Sequence, residues 1–360
     1  MSTDWTSLQS KTIDTLRFPM AVAVVMLHYS LSVFKGATGA LHVLCLLFHE
    51  GVCLLAVPSF FFISGFLFFN GLQQWTWAGW GQKLKRRLQS LLLPYLLWNL
   101  IALLAFWAYN RLQGSPVGLY EYFQTNGGLG VFWNVHGGLP IGPQSGPIDG
   151  PLWFIRDLMY FVLAAPAVYL FIKWTKAYGV LGICVLYLTI PGSVPSGFVF
   201  FVMGAYLQLS GKNLLQFFRP ARLWLYGLFI PLLVLCCISH GFPEYWNRFC
   251  RFFFLVGGIG TVFCLLASYL EKRPDYQVCP FLAKSSFFVF ALHEILVLRK
   301  IATPAVRAII PADTALGGIV AFFLVPALAV GICLGFLYIL QRFLPRTAVL
   351  LTGNRSTKPV

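Results

Sequence analysis

The sequence predicts an all-α integral membrane protein, a bundle of about ten transmembrane helices with both termini in the cytoplasm. Three observations carry that prediction. The chain of 360 residues is 58% hydrophobic and only 10% charged, with a mean hydropathy of +0.76, a balance outside the range of soluble globular domains. Apolar runs long enough to cross the ~30 Å hydrocarbon core of a bilayer recur along the whole length. Basic residues are unevenly shared between the connections of those runs, so the net charge of +15 reads as topology and not as nucleic-acid affinity.

The runs place spans near 13–34, 52–71, 91–110, 152–172, 177–190, 196–210, 221–240, 248–270, 286–303 and 315–341. With a cytoplasmic N-terminus, all 26 lysines and arginines fall inside except Lys35, Arg111, Arg156, Arg248, Arg251, Arg299, Lys300 and Arg307, which fits the positive-inside rule. No small-residue cleavage site follows the first run, so a multi-pass protein of the inner or plasma membrane without a cleavable signal is expected. One membrane domain is expected over 1–345, with a Gly- and Pro-rich outer loop at 111–151 acting as a folded cap. A cytoplasmic tail at 346–360 is expected to be disordered beyond Thr352. The nine cysteines show no C-x-x-C pair and no metal-ligand spacing, so they read as small apolar residues and no metal is expected. Hydrolase, P-loop and dinucleotide signatures are absent from the sequence.

Taken in order, the first span carries DTLRFPMAVAVVMLHYS. Arg17 and His28 are eleven residues apart, close to three helical turns, so both project from one face with a rise of about 16 Å between them. Ionisable groups inside a span mark a site by default. The same pair would also serve as a snorkelling arginine and a hydrogen-bonded bundle histidine. Residues 35–51 read as a short outer loop whose His42, His49 and Glu50 lack a further ligand for a metal. In VPSFFFISGFLFFN, Ser64 and Gly65 are small residues suited to close helix approach. The inner loop 72–90 sets Trp75, Trp77 and Trp80 beside Lys83, Lys85, Arg86 and Arg87. That pattern suits lipid and topology, and on the side of Arg17 it equally suits a polyanionic ligand.

Beyond the cap, PLWFIRDLMYFVLAAP sets Trp153, Arg156 and Asp157 at the outer end of the fourth span. Consecutive helical residues do not face one another, so Arg156 and Asp157 need not pair. The stretch from Lys173 to Leu270 reads as scaffold, with His240, Glu244 and Arg248 as ordinary solvated charge. In SSFFVFALHEILVLRK, His293 lies about two turns into the ninth span with Glu294 beside it. A helix-to-helix hydrogen bond accounts for His293 as readily as catalysis does.

Together, the Arg17–His28 spacing, VPSFFFISGF, KRRLQSLLLPYLLWN, PLWFIRDL and SSFFVFALHEIL resemble, in order and spacing, the membrane-bound acyltransferase 3 family, whose members transfer acyl groups, commonly acetyl, to hydroxyls of surface carbohydrates. The resemblance covers residues 12–345 and implies that His28 is catalytic, with Arg17 its partner in the same motif and acyl-coenzyme A, here acetyl-CoA, as the cytoplasmic donor. In place of the family's arginine-x-x-arginine pattern the chain offers Lys83, Lys85, Arg86 and Arg87, and the donor phosphates are assigned to Arg17, Lys83, Arg86 and Arg87. Trp153, Arg156, Asp157, His293 and Glu294 are the expected acceptor-binding residues. Expected partners are membrane lipid and a carbohydrate acceptor, with a second copy of the chain or a glycan-assembly protein left open. An imidazole in this position suits a general base or an acyl carrier. A competing expectation is a transporter or flippase of a lipid-linked sugar, although no inverted repeat relates the two halves.

Overall fold

The computed structural model describes residues 4–72, 74–136, 141–311 and 314–353, and every regular element among them is helical. Eight helical stretches among the described residues are long and apolar enough to cross a membrane, with the shorter apolar helix Ser196–Leu209 beside them. The expected fourth and fifth spans correspond to Trp153–Leu163 followed by Ala165–Thr189. The second of these breaks at Lys176, whose φ of 52° and ψ of −134° are not helical, so a backbone break separates the runs where the sequence suggested a connection. Two compact units emerge, one of Met1–Gly81 with Phe161–Cys279 and the other of Gln82–Tyr160 with Pro280–Val360.

The first unit begins with the Trp5–Phe34 helix, where Asp4 caps the amides of Thr6 and Ser7, satisfying two donors that a helix start leaves without partners. Leu8, Thr12, Ile13, Leu16, Met20, Val24 and Val25 form its buried stripe, the spacing expected of a helix with one face in a bundle. Residues 35–51 are not a simple loop. GALHVLCLLFH folds as the helix Gly39–His49, because its leucines and alanine favour helix and its two histidines do not interrupt the apolar run. Next, Ala56–Phe69 packs against Ser196–Leu209 with almost no side chain between the backbones. A Cβ at Gly65 would stand 2.0 Å from the Phe201 carbonyl oxygen, and one at Gly204 2.0 Å from that of Phe62. Small residues permit that approach, and Phe61, Phe69, Phe161 and Phe201 fill the flanks with tilted and edge-on rings.

In the second unit the helices Leu93–Leu112, Pro280–Leu292 and Ala315–Phe343 carry the apolar bulk. The chain after 345 is not a free tail at its start. Pro345–Leu351 is a helix, Thr352 is buried, and Trp98 Nε1 donates to the Leu351 carbonyl at 3.0 Å. Burying the Trp98 indole against Phe288 requires a partner for its N–H, and the chain end supplies it. Of the stretch expected to be disordered beyond Thr352, Gly353 is buried, and residues 354–360 lie outside the described ones. All nine cysteines are free, and all but Cys279 are buried.

Candidate functional site

Arg17 and His28 both lie on the Trp5–Phe34 helix, uninterrupted although Pro19 sits between them. Arg17 Nη1 pairs with Asp14 Oδ1 at 2.9 Å, one turn back on the same helix, and both side chains are partly exposed. An exposed pair of this kind adds little stability, so the cation is held in place while its charge stays accessible. His28 is half-buried. The Trp77–Arg87 helix carries the four cations Lys83, Lys85, Arg86 and Arg87 within five residues, with Lys85 and Arg86 exposed. Its N-terminal end is fixed by aromatic contacts, with Trp75 on Trp77 and Trp77 on Trp80 meeting edge to face and Trp80 Nε1 donating to the Val162 carbonyl at 3.3 Å.

The second unit contains a buried polar core built on the loop between Leu112 and Trp153. Arg156 and Asp157, expected to stand apart, are paired: Nε and Nη2 of Arg156 donate to Asp157 Oδ1 at 3.0 and 2.8 Å. Neighbouring residues can do this here because both side chains turn back from the start of the Trp153–Leu163 helix toward the loop. Arg156 Nη1 donates to the carbonyls of Trp133 and Ser145, Nη2 to that of Gly142 at 3.0 Å, and Asp157 Oδ2 accepts from the Gly142 amide at 2.7 Å. Every N–H of a guanidinium is thereby engaged, so Arg156, fully buried, acts on any ligand through the loop it holds. Trp153, partly exposed, opens the same helix.

Four residues before the Trp153–Leu163 helix, the Asp149 amide donates to Asn99 Oδ1 at 3.1 Å, and Asn99 Nδ2 donates in turn to the Tyr95 carbonyl at 2.8 Å. Asp149 is 1% exposed. Burial, with the charge of Glu294 adding to it, holds its carboxyl well above the usual carboxylate range. His293 is fully buried, with Nδ1 3.1 Å from the Val289 carbonyl, and Glu294 Oε2 accepts from Arg299 Nε at 3.0 Å. These two residues open a wide-turn segment, His293–Ala302, in which Ile295 and Leu296 leave helical geometry. Leu296 has φ of 63°, a strained conformation for a residue with a side chain and one that tends to collect at functional positions.

An acyltransferase domain model matches residues 10–338, nearly the whole described chain. The chain belongs to the acyltransferase 3 family. Among its relatives is the succinoglycan biosynthesis protein ExoH of Rhizobium meliloti (strain 1021), 27% identical over 217 residues that cover 57% of this chain and 55% of that protein. The chain thus aligns with about half the length of this relative. No solved structure matches the present chain.

Within this acyltransferase 3 chain, Arg17, His28, His293 and Glu294 stand out in the sequence because charge inside an apolar run is conspicuous. Two polar groups do not stand out there. Asp149 sits in SGPIDGP, where Gly and Pro signal a loop and nothing signals burial. In the first unit, His240 is not simply solvated: its Nδ1 lies 3.1 Å from Glu50 Oε1, with His49 Nε2 3.4 Å from the same oxygen and Arg251 on Oε2. Glu50 is 2% exposed, so this network ties the end of the Gly39–His49 helix to the Glu244–Glu271 helix. Only Arg248 and Glu244 behave nearly as expected, as an i,i+4 pair in which Glu244 is exposed.

Proposed function

We propose that the protein is an integral-membrane O-acyltransferase that moves an acetyl group from cytoplasmic acetyl-CoA to a hydroxyl of an extracytoplasmic or surface glycan. The observation that carries the proposal is the Trp5–Phe34 helix itself. Within an acyltransferase domain matched over residues 10–338, one helix holds an accessible cation and, about 16 Å further along its axis, an imidazole. A donor with an anionic head and a long reactive arm suits that separation. The part that ExoH plays in succinoglycan biosynthesis supports a polysaccharide acceptor, and the match to an acyltransferase domain favours transfer over transport.

In this reading Arg17, Lys83, Arg86 and Arg87 bind the coenzyme phosphates, by charge-assisted hydrogen bonds. His28 removes the proton of the acceptor hydroxyl as its oxygen attacks the thioester carbonyl. The C–S bond then breaks, and the proton passes to the departing thiolate, which leaves as coenzyme A. Trp153, His293 and Glu294 face the acceptor, while Arg156 and Asp157 hold the loop that admits it. Membranes containing the protein, supplied with labelled acetyl-CoA and de-esterified surface polysaccharide, are expected to produce alkali-labile labelled ester. Label found only in free acetate, or only in lipid, would overturn the assignment.

A further inference from the structure

Among the described residues of the second unit, the carboxyl group of Asp149 holds a position that packing and hydrogen bonding do not explain. Neither of its oxygens has a hydrogen-bond partner among the described residues, although the residue is 1% exposed. Its sequence position, ahead of the Gly150–Leu152 turn, suggests a capping role, but the side chain makes no cap bond. The turn is closed instead by backbone, with the Leu152 amide donating to the Asp149 carbonyl at 3.0 Å. Asn99 and Tyr95 hold the backbone of Asp149 firmly, so the carboxyl is aimed and not adrift. Glu294 lies close enough to act on it electrostatically.

A buried polar group without a partner costs folding free energy, and such groups persist where a ligand completes them. A carboxylic acid can donate one hydrogen bond and accept others, which is the pattern offered by the hydroxyls of a sugar. We propose that Asp149 is an acceptor-binding residue whose buried carboxyl hydrogen-bonds glycan hydroxyls and orients the sugar for acylation. This rests on the acyltransferase reading above. The carboxyl neither attacks the thioester nor takes the acyl group; it positions the acceptor.

The test uses the full chain in detergent, acetyl-CoA as donor, and oligosaccharides prepared from the de-esterified surface polysaccharide of the producing cell. Asp149→Ala is expected to raise the acceptor KM at least about tenfold, the scale of one lost hydrogen bond to a charged or buried partner, and to leave the donor KM within twofold. Asp149→Asn, which keeps one donor and one acceptor in neutral form, is expected to stay within about threefold of wild type. Asp149→Leu removes the unpartnered group altogether; it is expected to unfold at a higher temperature than wild type while losing the thermal shift that the oligosaccharide produces. Acetyl-CoA should still stabilise all three variants. An unchanged acceptor KM in Asp149→Ala would overturn the proposal. A lower melting temperature or a retained oligosaccharide shift in Asp149→Leu would do the same, marking the carboxyl as structural or idle. A wild-type protein that neither acylates nor binds the oligosaccharide would instead remove the acyltransferase reading, and this assignment with it.

Discussion

Replacing Arg156 by Met tests how the loop over the second unit is held. The guanidinium is fully buried and carries bonds to the carbonyls of Trp133, Gly142 and Ser145 and to Asp157. Met fills much of the same space but leaves the Asp157 carboxylate, 2% exposed, without its cation. Breaking a buried pair from one side costs about 3–5 kcal/mol. Asp157→Leu alone should cost a similar amount, because it strands the guanidinium. The double variant escapes the charge penalty and keeps only the cost of the unserved loop groups, about 1–3 kcal/mol. Thermal unfolding in detergent, combined with limited proteolysis between residues 113 and 152, reads both the stability and the loop. The reasoning fails if Arg156→Met is within about 0.5 kcal/mol of wild type, or if the double variant is as unstable as the sum of the singles.

Three further outcomes follow from the same structure. His28→Ala should lower kcat by about 10²–10⁴ with the KM for acetyl-CoA nearly unchanged, the usual worth of a general base; turnover within about tenfold of wild type would argue that His28 only packs. Converting Arg86 and Arg87 together to Gln should raise the donor KM by about tenfold and spare the acceptor KM, as expected for two partly exposed phosphate contacts; a change in the acceptor KM alone would reassign them. Gly204→Ala should cost at least about 1–3 kcal/mol by forcing the Ala56–Phe69 and Ser196–Leu209 helices apart, whereas Gly227→Ala, at a helical site with nothing within 4 Å of the new Cβ, should be neutral or stabilising; equal melting temperatures for the two would contradict the close crossing.

Much of the helical plan was legible because a span announces itself by length and hydropathy, and even the break at Lys176 falls where a charge interrupts two apolar runs. The Gly39–His49 helix was hidden by its own histidines, which look like loop chemistry in one dimension and face Phe34 and Glu50 in three. Arg17 could be singled out from its setting, and its partner Asp14 stands at the i,i+3 spacing that favours such a pair. The loop contacts of Arg156 could not be read, because backbone carbonyls carry no sequence signal. The same holds for Glu50 with His240 and Arg251, which are about two hundred residues apart and are joined only by packing. Asp149 needs the fold to be noticed at all, since what marks it is a buried carboxyl with no hydrogen-bond partner among the described residues.

In the proposed function donor and acceptor meet from opposite sides of a membrane, with Arg17 and His28 set about 16 Å apart along one helix. Sealed vesicles of known orientation measure this directly, with acetyl-CoA supplied only on the cytoplasmic face and de-esterified oligosaccharide only on the opposite face. The arrangement predicts acetylated oligosaccharide on the far side, and none when His28 is replaced by Ala. Product formed only when both substrates share the cytoplasmic side would contradict it, as would movement of the sugar across the membrane without any ester.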